Sequence, residues 1–152
     1  MKTYKEVYNY MINNHGKFPD GFDQWDLKDE YGCTIAHIAA YHDYLPKDFN
    51  QWDLINDDGW TVAHSLAVYG AIPDNFNQWD IKNAKGWTVA HIAAMHKNIP
   101  KGFNQWYLKS SQGESVFETM VHYYIPDWFD DWDMVVTDDG ETCREVYERI
   151  TK

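Results

Sequence analysis

At 152 residues the chain is long enough for one domain with an ordinary hydrophobic core. Aromatic residues make up 17% of it, eight of them Trp, which excludes a disordered chain. The 24 acidic against 13 basic residues leave a net charge of −11, which argues against DNA, RNA or an anionic membrane as a direct ligand. The same charge suits a basic protein surface, or simply solubility.

Residues 1–20 open the chain with an amphipathic helix, Tyr4, Val7, Tyr8, Met11 and Ile12 lying on one side. From there a 27-residue period takes over, the signature of a stacked repeat protein. Trp recurs at Trp25, Trp52, Trp79, Trp106 and, after a 26-residue step, Trp132. Phe stands three residues before each, from Phe22 to Phe129. A Gly recurs at Gly32, Gly59, Gly86, Gly113 and Gly140, with Thr34, Thr61, Thr88, Ser115 and Thr142 two residues later.

Each unit reads as two helices. In the third, Thr88 is the expected N-cap, its hydroxyl taking an orphan backbone N–H, and the helix runs from Val89 to His96. Its Ala90, Ala93 and Ala94 permit close approach of a neighbour. A second, shorter helix is expected over Pro100–Trp106, Pro suiting the first turn and Phe103 and Trp106 sharing a face. The linker closes at Gly86, the expected positive-φ residue. One unit cannot bury its Phe and Trp alone, so the indoles of Trp25, Trp52, Trp79 and Trp106 are expected in a core shared between units. The end units drift: Phe117-Glu118 replaces Ala-His, and the last unit closes in a charged helix through Arg149. The expectation is one repeat domain over 1–152, with a capping helix in 1–20, about four repeats over 21–126 and a capping repeat over 127–152.

Asn83-Ala-Lys-Gly-Trp-Thr-Val-Ala-His-Ile-Ala-Ala94 and Asn56-Asp-Asp-Gly-Trp-Thr-Val-Ala-His-Ser-Leu-Ala67 resemble the opening half of an ankyrin repeat, D-x-x-G-x-T-P-L-H-x-A-A. Thr34 and His37, Thr61 and His64, and Thr88 and His91 fall on that family's structural Thr and His. The family's Pro-Leu is Val-Ala or Ile-Ala here, and the period is 27 residues rather than 33. The resemblance implies an all-α, ankyrin-like helical repeat solenoid of short helix pairs with terminal caps. It also implies protein recognition rather than catalysis. A separately arisen helical repeat is the competing reading.

His37, His64 and His91 suggest a metal site only superficially. Equivalent side chains on stacked helices sit ~8–10 Å apart, whereas zinc needs each nitrogen at ~2.0–2.1 Å. Each His is expected to bond its own Thr and the adjacent turn, so no metal and no cofactor is expected. Glu118 and His122 share a helical face, a minimal acid–base pair with no nucleophile beside it. Phosphate-binding loops, dinucleotide Gly patterns, HExxH and Cys-x-x-Cys pairs do not occur.

Two surfaces are candidates for binding. By analogy with ankyrin units, Trp60 and Trp87 lie near the loop tips that form a recognition face, where Trp favours hot spots; alternatively both pack on neighbouring turns. The second is acidic: Asp57, Asp58, Asp130, Asp131, Asp138 and Asp139, read either as a patch for a basic partner or as a solvated face. The function expected is a non-catalytic protein-binding module, an acidic inhibitor or adaptor whose partner is a basic or nucleic-acid-handling protein. The alternatives are an acidic mimic of nucleic acid that blocks a DNA- or RNA-binding protein and an enzyme built on Glu118 and His122. Cys33 and Cys143 suggest no disulfide framework, the first residues lack an apolar signal core, and no run approaches a membrane span, so a cytoplasmic location is expected. Eleven Lys against two Arg, with abundant Asn, Tyr and Ile, point to AT-rich coding sequence, as in phages and some intracellular bacteria.

Overall fold

The computed structural model describes residues 2–152, which fall into two compact units, Met1–Asn75 and Phe76–Lys152. The described residues form six helices and no strand. The first unit holds α1 (Tyr4–Asn13), α2 (Ile35–Tyr41) and α3 (Val62–Tyr69). The second holds α4 (Val89–Met95), α5 (Val116–Tyr123) and α6 (Cys143–Thr151). Within each unit, consecutive helices pack on one another. No helix among the described residues is long and apolar enough to cross a membrane.

The helices of the repeat are seven to nine residues long, too short to be stable by themselves. Their starts are therefore closely held. Around α4, the N–H of Val89 donates to the Ile81 carbonyl (3.0 Å), and that of Ala90 to the Trp79 carbonyl (3.2 Å). The N–H of His91 donates to Thr88 Oγ1 (3.2 Å). Three of the four donors that a helix start leaves over are thus satisfied. The same pattern repeats at Thr34, Thr61, Ser115 and Thr142. Ser115 and Thr142 add a capping box with Glu118 and Glu145.

These bonds also explain the main departure from the sequence reading. The second helix expected over Pro100–Trp106 does not form, so each 27-residue repeat carries one helix rather than a pair. The Phe103 N–H donates to the Pro100 carbonyl (3.2 Å), a single turn. Gly102 sits there at φ +95°, in the left-handed region, which a continuing helix excludes. The Trp106 and Leu108 carbonyls are then spent on the start of α5, bonding Phe117 and Val116. The chain from Pro to Leu is a non-helical strap that caps the next helix.

Between strap and helix lies a short hairpin. Lys82 and Thr88 form an antiparallel bridge, and Asn83 Oδ1 accepts from the N–H groups of Lys85 and Trp87 at 3.0 Å each. Gly86 turns the corner at φ +82°, and a side chain on it would run into Ser111 of the following hairpin.

The core has two parts. One is the inner face of the helices, including Ile35, Ala36, Ala39 and Ala40 of α2, all fully buried. The other is a file of alternating Phe and Trp. In the first unit the pairs Phe22–Trp25, Trp25–Phe49 and Phe49–Trp52 meet edge to face, with centroids 4.7, 5.2 and 4.8 Å apart. In the second, Phe76–Trp79–Phe103–Trp106–Phe129–Trp132 shows the same alternation at 4.7–5.1 Å. Edge-to-face contact sets the positive ring edge against the negative face, worth about 0.5–1.5 kcal/mol per pair beyond area burial. Trp25, Trp52, Trp79 and Trp106 are all buried, as the periodicity predicts.

Candidate functional site

The three repeated histidines lie inside the protein, each bonded to its own Thr. The Nδ1 to Oγ1 distances are 2.6 Å for His37 and Thr34, 2.7 Å for His64 and Thr61, and 2.6 Å for His91 and Thr88. His37 Nε2 lies 2.9 Å from the Trp60 carbonyl, and His91 Nε2 lies 2.8 Å from that of Glu114. A carbonyl only accepts, so in both rings Nε2 carries the proton and Nδ1 accepts from the Thr hydroxyl. His37 and His91 therefore each clamp a helix start to the hairpin of the following repeat. Burial lowers the pKa of His37 and His91, against the opposing pull of the carbonyl bonds. No group of three His, Cys, Asp or Glu among the described residues is placed to hold a metal ion.

Other reactive groups are similarly occupied. Glu118 closes the capping box of α5 and His122 is exposed on that helix. Burial pushes the Cys143 thiol up to about 12 and raises that of Cys33, so neither is a ready thiolate. Tyr4, beside Tyr8 and facing Asp29, is pushed up to about 12, mainly by burial.

Trp60 and Trp87 are half-buried. Trp60 meets His64 edge to face at 5.7 Å, and Trp87 meets His91 at 5.5 Å. Part of each indole thus packs on its own helix and the rest is accessible. Asp58, Asp130 and Asp139 are exposed. Asp57 pairs with Lys28 at 3.0 Å and Asp138 with Lys109 at 2.6 Å. Asp131 accepts from the buried Trp106 indole N–H at 2.7 Å, a structural duty that sequence reading did not assign. Compared with known proteins, the chain matches no protein-family model and no curated protein.

What sequence reading missed is a set of exposed tyrosines. Tyr31 is 78% exposed, Tyr69 60% and Tyr41 56%. Tyr41 and Tyr69, at the ends of α2 and α3, touch edge to face at 4.9 Å while their outer faces stay open to solvent. Their place in the repeat, seven or eight residues after the N-cap Thr, was the available signal. Interfaces favour Tyr because a large, rigid ring loses little entropy when held.

Proposed function

We propose that this chain is a non-catalytic protein-recognition module of ankyrin-like type, an acidic inhibitor or adaptor. One observation carries the reading: the groups that chemistry would call on are spent on architecture. His37 and His91 hold hairpins, Ser115 and Glu118 cap α5, and Asp131 holds an indole. The tyrosines and several carboxylates face outward, where contact with a macromolecule needs them. The charge favours a basic partner, including one that handles nucleic acid, and a cytoplasmic setting fits the two free cysteines. The alternative, a mimic of nucleic acid, has less support. It needs a run of unneutralised carboxylates, and Asp57 and Asp138 are paired with lysines.

The test is cross-linked capture from the source cell with the tagged chain, followed by identification of what is bound. One stoichiometric protein, retained after nuclease treatment, is expected. Trp60→Ala with Trp87→Ala, against Asp130→Lys with Asp138→Lys and Asp139→Lys, then shows which surface carries the contact. Asp131 is left out because its loss would disturb Trp106. Recovery of no protein above background overturns the reading.

A further inference from the structure

The repeat offers an internal comparison. In the second unit a small pocket of about 160 Å³ lies among Ile99, Met120, Tyr124, Pro126 and Trp128. The corresponding place in the first unit lies among Leu45, Leu66, Ala71, Pro73 and Asn75, with Trp52 beside it, and is about 630 Å³. The aliphatic walls match position for position: Leu45 with Ile99, Leu66 with Met120, Pro73 with Pro126. What differs is the filling. Tyr124 stands where the first unit has Gly70, each capping its helix with an N–H bonded to the Met120 or Leu66 carbonyl, and Trp128 stands where it has Asn75. The Trp128 ring lies 6.3 Å from that of Trp106, the counterpart of Trp52. Lys97 Nζ sits over the Tyr124 ring at 5.2 Å from its centroid. The second unit thus fills this cleft with its own aromatic rings, and the first leaves it open.

Charge selects the occupant. Asp43 replaces Lys97 among the lining residues, and the exposed Asp74 lines the cleft as well, against one lysine, Lys47. The whole first unit carries twelve acidic residues against five lysines and no Arg. We infer that this cleft is a docking slot for an aromatic side chain flanked by Arg or Lys on a partner protein. The ring takes the place that Tyr124 and Trp128 take in the second unit, and the cation meets Asp43 where the second unit supplies its own Lys97. The inference rests on the recognition reading above and names the chemistry of the partner's contact.

The test titrates the full chain with the capped tripeptide Arg-Trp-Arg, followed by amide chemical shifts, with Arg-Ala-Arg and Glu-Trp-Glu as controls. Saturable shifts at Leu45, Ala71 and Asn75 are expected with Arg-Trp-Arg, and at least tenfold weaker binding of both controls. Asn75→Trp, which copies the second unit at the position of Trp128, abolishes the binding while circular dichroism and the melting temperature show a folded chain. Should that variant not fold, Asp43→Lys decides, because the same backbone conformation carries Lys97 in the second unit (φ 60° and 59°). It is expected to weaken Arg-Trp-Arg at least threefold. Absence of saturable shifts at the cleft, equal binding of Arg-Ala-Arg, or undiminished binding by the filled variant overturns the inference. If the cleft is silent while capture still yields a stoichiometric protein, the slot falls and the recognition reading stands. If capture fails while Arg-Trp-Arg still saturates the cleft, the recognition reading falls and the slot stands.

Discussion

A neutral imidazole built into successive units makes stability depend on pH. The His37 and His91 pKa values are lowered in the folded chain, first by burial. The unfolded chain takes up protons near the ordinary His value of about 6.5. Below that pH the unfolded state binds protons that the folded rings refuse. The contribution of these groups is therefore full above about pH 6.5 and is lost as pH falls through the folded values. Urea midpoints should fall between pH 7.5 and pH 5, and a flat profile would contradict the buried neutral rings. Backbone conformation gives a second prediction. Lys97 follows the C-cap of α4, His96, at φ 59°, with Asn98 N–H bonding Ala93 O and Lys97 N–H bonding Ala94 O, a Schellman closure that favours Gly. Lys97→Gly should raise stability by about 0.5–1 kcal/mol. Gly86→Ala, strained at φ +82° and against Ser111, should lower it by about 1–2 kcal/mol. Urea midpoints with unchanged slopes check both.

For a helix of only two turns, the cap carries much of the stability. Thr88 Oγ1 accepts the His91 N–H and donates to its ring, so one hydroxyl serves both the helix start and the hairpin clamp. Thr88→Ala should cost about 1–2 kcal/mol, and Thr88→Ser less than half as much. Equal losses would mean that the methyl group, not the hydroxyl, carries the effect. The N-caps, the turn glycines and the apolar helix faces were legible because each is a local rule recurring in phase. The second helix was misread for a reason of the same scale. Pro100, Phe103 and Trp106 have helical spacing, but spacing does not reveal where the carbonyls go. The Trp106 carbonyl is spent on Phe117, and a helix through Trp106 would turn it away.

Over the whole molecule, charge is unevenly compensated. Four ion pairs are described, all with exposed or half-exposed partners, against an excess of eleven acidic groups. Exposed pairs contribute about 0–1 kcal/mol each, so repulsion among the unpaired carboxylates dominates. The screening length drops from about 30 Å at 0.01 M salt to about 10 Å at 0.1 M. The melting temperature should therefore rise with sodium chloride over that range. A fall would mean that the ion pairs outweigh the repulsion.

The sequence by itself determined the 27-residue period, the Thr or Ser that caps each helix from α2 to α6, and that Phe and Trp recur in phase through the interior. Those features depend on backbone conformation, capping and hydrophobicity, which act within a few residues and are repeated five times. Only the tertiary structure decided that the Pro-to-Trp segment is a strap, that Trp60 and Trp87 are half-covered by their own histidines, and that a cleft stays open beside Ala71 and Asn75. Each of these turns on which neighbour occupies a given space or accepts a given hydrogen bond: His64 four residues from Trp60, the Phe117 N–H eleven from the Trp106 carbonyl, Leu45 more than twenty from Ala71, and spacing along the chain specifies none of them.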